Sequence, residues 1–288
     1  MDRRRFLKRS SIGLAGATLW SCGGSQVARV EEPAPAVTQS LASILENSPF
    51  RFGFQSYSLR HFSETEELAG EAEQLGLAFV EVYNGHLPTD ATDEEMSRFK
   101  QALEEVGVEV NAFGVEGFSA DHEANQRLFQ FGQKLGVENL SANPSKDAFE
   151  SLDKLVAQYD IRIAIHNHGP EDERWRRPEW ILEAVRDLDP RVGACVDTGH
   201  YLRAGVDPVE AIRMLGSRVL GVHLKDFDAE SEEQIVGHGR LSLLGTFRAL
   251  IDVGFKGPLS LEYESPMENP VPSMREGMVA AGKALARM

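Results

Sequence analysis

Short apolar segments alternate with longer amphipathic segments from residue 50 to the end of the chain, and this alternation constrains the fold more than any other feature. Short apolar segments of this kind are typical of strands buried on both faces. The segments between them repeat apolar residues at helical spacing. The predicted strands are 51–56, 78–82, 109–113, 139–142, 161–165, 192–196, 219–224 and 259–262, and the predicted helices are 64–75, 93–106, 122–135, 148–159, 178–188, 208–215, 243–253 and 273–287.

Eight strand–helix units in residues 50–288 predict an α/β fold, a closed (β/α)8 TIM barrel, which needs about 250 residues. A doubly wound open sheet is the main alternative. That fold carries a glycine-rich phosphate loop after its first strand, whereas this chain has Gln55-Ser56-Tyr57-Ser58 there. The absence of this loop favours the barrel.

Residues 1–22 resemble a twin-arginine export signal. Arg3-Arg4-Arg5-Phe6-Leu7-Lys8 matches the export motif, and the apolar run that follows is too short to span a bilayer. Leu19-Trp20-Ser21-Cys22 resembles a lipobox, in which Cys22 becomes lipidated. Residues 23–49, rich in Gly, Pro and Glu, read as a flexible linker. We therefore expect a periplasmic or membrane-anchored lipoprotein that touches the membrane only through this anchor.

The charge of the chain argues against one class of partner. The formal net charge is −15, and a surface this acidic repels phosphate backbones, so nucleic acid is not expected as a partner. The same charge is compatible with a small, neutral sugar. The two cysteines, Cys22 and Cys195, imply no disulfide framework.

Polar and titratable side chains recur where the predicted strands end. Because the carboxyl ends of barrel strands meet at one rim, these side chains should lie together. Crowded carboxylates and imidazoles need a cation to neutralise them, and a mixed nitrogen and oxygen set suits one Mn²⁺, Zn²⁺, Co²⁺ or Mg²⁺ ion. The candidate metal ligands are Asp197, His223, Glu262, His166 and His168; further candidates at the rim are Gln55, Glu81, His200, Lys225 and Glu264.

Simpler roles exist for several of these side chains. Asp197 could cap a turn, and His223 could be a hydrogen-bonded core histidine. Residues two apart on a strand share a face, so Glu262 and Glu264 are both candidate ligands, and the one that does not bind the metal would face solvent or pair with an arginine. Lys225 could polarise a substrate oxygen or form a salt bridge with a neighbouring acid.

The barrel region resembles the sugar phosphate isomerase/epimerase family of xylose isomerase-like TIM barrels. The resemblance lies in Gly53–Arg60, His166-Asn167-His168-Gly169, Val196–His200, His223-Leu224-Lys225-Asp226 and Leu261–Glu264. It implies one metal held by a glutamate after strand 5, an aspartate after strand 6, a histidine after strand 7 and a glutamate after strand 8. The last three correspond to Asp197, His223 and Glu262. It also implies proton transfer next to a sugar carbonyl through a metal-bound enediolate.

This chain departs from the family pattern at strand 5, where His166 replaces the glutamate. His166, His168 or Glu171 could complete the metal shell, and a simple two-glutamate epimerase no longer follows. We expect Glu262 to act as ligand and base, with His166, Lys225 and His200 as further catalytic groups. Gln55, Glu81 and His200 are expected to contact the substrate.

Three functions remain open from the sequence. The first is a metal-dependent isomerase or epimerase acting on an unphosphorylated keto sugar. The second is a keto-sugar lyase or dehydratase that uses the same metal and a single base. The third is a sugar-binding lipoprotein without catalysis. The oligomeric state is also open.

Overall fold

The computed structural model of the protein describes Leu45 and residues 48–288. The predicted export signal at residues 1–22, including Cys22, and nearly all of the linker 23–49 lie outside the described residues. Those predictions therefore stand on the sequence alone.

Eight parallel strands close into a barrel, which confirms the predicted (β/α)8 fold. They pair in the order β1-β2-β3-β4-β5-β6-β7-β10, and β10 pairs with β1 to close the ring. The barrel strands are β1 (Arg51–Gln55), β2 (Phe79–Val82), β3 (Glu109–Phe118), β4 (Asn139–Pro144), β5 (Arg162–His166), β6 (Val192–Asp197), β7 (Val219–Leu224) and β10 (Pro258–Leu261).

Helices lie between the strands, as the periodicity predicts. Within the described part of the chain, no helix is long and apolar enough to cross a membrane. The helices are α1 (Thr65–Leu75), α2 (Asp93–Glu105), α3 (His122–Leu135), α4 (Phe149–Tyr159), α5 (Pro178–Val185), α6 (Thr198–Arg203), α7 (Pro208–Leu215), α8 (Leu243–Asp252) and α9 (Val271–Leu285), with 3₁₀ turns at Ser56–Leu59 and Gly216–Arg218.

The local chemistry explains the helix boundaries. Helix α2 starts at a capping box, in which the Thr92 hydroxyl accepts from the Glu95 N–H and the Glu95 carboxylate accepts from the Thr92 N–H. Helices α1 and α3 end at Gly76 and Gly136, whose φ angles of 72° and 86° lie in the left-handed region that favours glycine.

Two elements near the rim are not predicted from the sequence. The first is the six-residue helix α6, which is too short to show periodicity. The second is a small antiparallel hairpin formed by β8 (Asp226–Phe227) and β9 (Glu233–Gln234). Both elements lie beside the cavity described below, so they shape the site more than they shape the barrel.

The buried side chain of Asp226 anchors the segment that follows this hairpin. Its Oδ1 accepts from the backbone N–H groups of Phe227 and Leu241, and its Oδ2 accepts from those of Gly237 and Gly239. Removing a buried acceptor leaves all four donors unpaired.

We therefore expect Asp226→Ala to lower the free energy of unfolding by about 3 kcal/mol, measured by urea denaturation. Asp228→Ala is the matched control. Asp228 also accepts backbone N–H groups, from Glu230 and Glu232, but it is partly exposed, so water can replace it at a cost of about 1 kcal/mol or less. Equal losses in the two variants would contradict the anchoring role of Asp226.

His86 makes the stability of the barrel depend on pH. It is buried beside the Tyr83 ring, and its Nδ1 lies 3.0 Å from Ser56 Oγ. Burial lowers the pKa of His86 to about 4. An unfolded histidine has a pKa near 6.5, so the neutral form stabilises the fold above pH ~6.5, and this contribution is lost as the pH falls towards 4.

The expected result is that the wild-type protein loses about 3 kcal/mol more stability than His86→Gln between pH 7 and pH 4. The measurement is urea unfolding of both proteins at each pH, in which titrations common to both cancel. Parallel pH profiles would show that His86 is not the group responsible.

Candidate metal centre and cavity

A cavity of about 440 Å³ opens at the carboxyl ends of the barrel strands. This is the end at which barrel enzymes place their active sites. Its lining combines imidazoles, carboxylates and two tyrosine rings with a single arginine: Gln55, Tyr57, Tyr83, Gly114, Val115, His166, His168, Glu171, His200, Arg203, Glu262 and Glu264.

Four side chains meet at the floor of this cavity, and each follows from a different strand. They are His166 at the end of β5, Asp197 at the end of β6, His223 in β7 and Glu262 directly after β10. One nitrogen or oxygen atom from each lies within 4.8 Å of the others, and all four residues are buried. These are four of the five predicted metal ligands.

The unpaired atoms of this cluster are suited to a cation. Asp197 Oδ2 lies 3.4 Å from His166 Nε2, and His223 Nδ1 lies 3.2 Å from Glu262 Oε2. Yet all four atoms are buried without a hydrogen bond in the described structure. Buried polar atoms are rarely left unpaired, and a set of two imidazoles and two carboxylates is what Mn²⁺, Zn²⁺ or Co²⁺ accepts. The four residues therefore fit a divalent ion.

Glu81 orients His223 for this arrangement. Its Oε2 accepts from His223 Nε2 at 2.9 Å, so in the neutral imidazole that a metal ion would bind, the other ring nitrogen, Nδ1, would direct its lone pair at the cluster. Histidine ligands of metals are commonly held in this way by a carboxylate. Ser260 Oγ also donates to Glu81, at 3.3 Å. Glu81 therefore lies buried behind His223 and is not among the residues that line the cavity, and its contact with a sugar hydroxyl stays a prediction.

The two carboxylate oxygens of Asp197 have different surroundings. Its Oδ1 accepts from the His200 N–H at 2.7 Å and caps helix α6, while Oδ2 faces the cluster. Gly199, next in this turn, is needed for space, because an added Cβ would lie 2.8 Å from Lys225 Cγ. Capping thus uses one oxygen of the carboxylate and leaves the other available to a metal ion.

A buried lysine keeps Glu262 ionised. Lys225 Nζ lies 3.4 Å from Glu262 Oε2 and 2.6 Å from Glu264 Oε1. Burial opposes ionisation of Glu262, but Lys225 and His223 lower its pKa to about 2. Burial likewise opposes charge on Lys225, yet Glu262, Asp197 and Glu264 raise its pKa. Glu262 therefore points inward as predicted, whereas Glu264 is partly exposed and pairs with Lys225.

His200 lies in helix α6, and its ring lines the cavity. Burial, with smaller effects from Lys225 and His166, lowers the pKa of His200 to about 4 despite the nearby Asp197. Its Nδ1 lies 3.0 Å from Arg203 Nη1. A neutral imidazole at this position can donate or accept a hydrogen bond but carries no charge.

Three other candidates lie at the cavity without joining the cluster. His168 lines the wall, is a third exposed, and lies 3.8 Å from Asp172 Oδ2. Glu171 pairs with Arg203 at 3.1 Å and does not reach the four ligands. Gln55 is buried in the lining, where it donates to Gly114 O and accepts from the Tyr57 N–H. If Gln55 contacts a sugar, its side-chain amide would have to do so in addition to these two hydrogen bonds.

Three features of the site are missed by sequence reasoning. Tyr83 packs against Tyr57 in the cavity lining, with ring centroids 5.2 Å apart, and although Tyr57 lies in the motif Gly53–Arg60, no motif marks Tyr83. Arg203 follows His200 by three residues. This spacing predicts contact between the two side chains only in a helix, and no helix is predicted there. The role of Glu81 is missed because strand periodicity gives the face of a side chain but not its neighbour across the barrel.

Comparison with known proteins assigns the chain to a family. The profile described as xylose isomerase-like TIM barrel matches residues 69–281. Because this match covers well over half of the sequence, the chain belongs to the xylose isomerase-like TIM barrel family.

Individual relatives are distant and catalyse different reactions. An inosose dehydratase from Clostridium botulinum (strain Alaska E43 / Type E3) is 26% identical over 178 residues, which cover 61% of this chain and 58% of that protein. A 3-oxo-isoapionate decarboxylase from Pectobacterium atrosepticum is 25% identical over 154 residues, 50% of this chain and 54% of that protein. The matches thus span little more than half the length of these curated relatives.

A solved structure extends the similarity in fold to the whole barrel. The 3-keto-D-glucoside 4-epimerase from E. coli superposes with a TM-score of 0.66 at 15% identity, and the match covers 81% of this chain and 99% of that chain. At this identity the similarity concerns the fold alone. The proteins that resemble this chain thus include a dehydratase, a decarboxylase and an epimerase. Membership of the family therefore does not specify the reaction that this chain catalyses.

Proposed function

We propose that this protein is a metal-dependent enzyme that removes a proton next to the carbonyl of an uncharged keto sugar. The observation that carries this proposal is the buried cluster of His166, Asp197, His223 and Glu262, whose unpaired atoms converge at the floor of the cavity. A divalent ion held by these residues would act as a Lewis acid towards the substrate carbonyl.

The residues around the cluster have distinct roles in this proposal. Glu262 takes the proton from the carbon next to the carbonyl, because it is the buried carboxylate at the floor that also lines the cavity. Lys225 keeps Glu262 ionised before the transfer. His200 faces the substrate from helix α6 and donates a hydrogen bond to one of its oxygens.

The charges around the cavity support an uncharged substrate. Among the described lining residues, Arg203 is the one arginine, and Glu171 binds it through both carboxylate oxygens. Lys225 is neutralised by Glu262 and Glu264. A phosphorylated sugar would have to displace one of these acids, whereas a neutral sugar can bind through hydroxyl groups.

Proton removal can lead to isomerisation, epimerisation or elimination, and elimination is the second candidate. An epimerase with two carboxylate bases needs one on each face of the carbon. Here His166 stands at the strand-5 position, and the other buried titratable groups in the lining are imidazoles. One carboxylate base with an imidazole to protonate a leaving hydroxyl suffices for a lyase. The dehydratase and decarboxylase relatives favour the same class.

The test is incubation of the protein with unphosphorylated keto sugars in D₂O, with Mn²⁺ or with a chelator. Deuterium incorporation next to the carbonyl that requires the metal is expected. A new isomer or epimer in the NMR spectrum identifies an isomerase, and an unsaturated product absorbing in the ultraviolet identifies a lyase. Sugar binding without deuterium uptake or product would contradict the enzyme proposal and indicate a binding protein.

We also propose, on the sequence alone, that the protein is exported by the twin-arginine route and lipidated at Cys22. Expression in a bacterium with and without a functional twin-arginine transporter tests the first part. Cys22→Ser should release the protein from the membrane fraction if the second part holds.

A further inference from the structure

We infer that Arg203 is a positioning residue that holds His200 in one tautomer and so sets which hydrogen bond the cavity offers to its substrate. The effect on substrate binding rests on the proposed function, because it assumes that a keto sugar binds in the cavity. The contact between Arg203 and His200 does not depend on that function.

The tautomer follows from the chemistry of the guanidinium group. Arg203 Nη1 lies 3.0 Å from His200 Nδ1. A guanidinium group only donates hydrogen bonds, so Nδ1 must accept, and the proton of the neutral ring is on Nε2. Nε2 makes no hydrogen bond to the described residues, and the ring lines the cavity. His200 therefore presents a donor, not an acceptor, to whatever binds there.

Two other side chains hold Arg203 in place. Both of its terminal nitrogens donate to the Glu171 carboxylate, at 3.1 and 3.2 Å, in a bidentate pair. Its guanidinium lies 5.5 Å from the centroid of the Phe227 ring, in the hairpin. Such a planar group with several fixed partners can define the orientation of the imidazole next to it.

Gly169 provides the space for this pair. A Cβ added at Gly169 would lie 2.6 Å from Arg203 Nη1 and 2.7 Å from Glu171 Oε2. Its φ angle is not among the positive ones, so the glycine is needed for close approach and not for backbone conformation. Gly169→Ala therefore displaces the guanidinium while leaving its charge in place.

The tautomer can be read directly by ¹⁵N–¹H NMR of chelator-treated protein with ¹⁵N-labelled histidines. The chain has eight histidines, and the His200 signals are assigned by their loss in His200→Gln. In the wild type we expect a proton on Nε2 and none on Nδ1. In Arg203→Met and in Gly169→Ala we expect the two tautomers to interconvert, which moves both nitrogen shifts towards intermediate values.

Two variants control this measurement. Arg203→Lys keeps a group that only donates and should retain the Nε2–H tautomer. Arg213→Met removes an arginine that pairs with Glu210 on helix α7, and it should leave the His200 signals unchanged.

A double-mutant cycle tests the consequence for turnover. Arg203→Met should lower kcat by about 10-fold, less than the roughly 100- to 1,000-fold of a fully lost donor, because the ring is no longer held in position but still adopts the Nε2–H tautomer part of the time. The same change in the His200→Gln background should cost less than about 2-fold, because an amide nitrogen carries its protons without help from Arg203.

The outcomes separate this inference from the proposed function. The role of Arg203 would be overturned if His200 Nδ1 stayed unprotonated in both Arg203→Met and Gly169→Ala. It would also be overturned if His200 Nδ1 carried the proton in the wild type. Equal effects of Arg203→Met in both backgrounds would also overturn it. If no keto sugar is turned over, the NMR result still decides the tautomer, and only the proposed function fails.

Discussion

Glu262→Gln should lower kcat on a keto sugar by about 1,000-fold, which is within the range expected for loss of a general base. The glutamine keeps the size of the side chain and can still accept a hydrogen bond, but its amide cannot take a proton from carbon. The solvent-deuterium exchange described above should fall in parallel, because the same proton transfer is measured.

Glu264→Gln is the matched control for this prediction. Glu264 binds the same lysine as Glu262, at 2.6 Å, but it is partly exposed and stands two residues further along the chain. We expect its loss to change kcat by less than about 10-fold, since solvent screens exposed ion pairs. Thermal unfolding of both variants checks that the barrel is intact. If Glu264→Gln were the more damaging change, the assignment of the base would be reversed.

Asp197→Asn should abolish metal binding while keeping helix α6 capped. The asparagine oxygen can still accept from the His200 N–H, as Oδ1 does now at 2.7 Å, but an amide nitrogen replaces the oxygen that faces the cluster. We expect metal affinity to fall by more than about 100-fold, because changes in groups that only support a ligand already cost 10- to 100-fold.

Asp197→Ala separates the two functions of this carboxylate. It should lose metal binding to the same extent and, in chelator-treated protein, be about 1 kcal/mol less stable than Asp197→Asn, since the helix cap is also lost. Titration with Zn²⁺ and urea unfolding provide the two measurements. Normal metal binding by Asp197→Asn would show that Asp197 is a cap alone.

The barrel could be predicted from the sequence because its strands and helices differ in period and in length. Predicted strand bounds lie within one or two residues of those observed, except in β3, which continues to Phe118 past a register shift after Phe113. An irregular extension of this kind follows from pairing with β4, which single-strand periodicity does not encode. The same limit applies to the hairpin of β8 and β9.

The floor of the site could be predicted because it is built from strand ends, and strand ends of a barrel meet. The wall of the cavity could not be predicted, because it depends on how loops and one short helix pack against each other. The role of Glu81 could not be predicted for a different reason: it lies in β2, and its partner His223 is 142 residues away in β7. Arg203 depends similarly on Glu171, from the loop after β5, to hold its place beside His200.

The most direct test of this account is the divalent metal content of the full-length protein, purified without chelators and measured by mass spectrometry. We predict about one ion per chain in the wild type and in Glu264→Gln, and none in Asp197→Asn. A wild-type protein that holds no ion, even after equilibration with Mn²⁺, Zn²⁺ or Co²⁺, would contradict the proposal that these four residues form a metal centre.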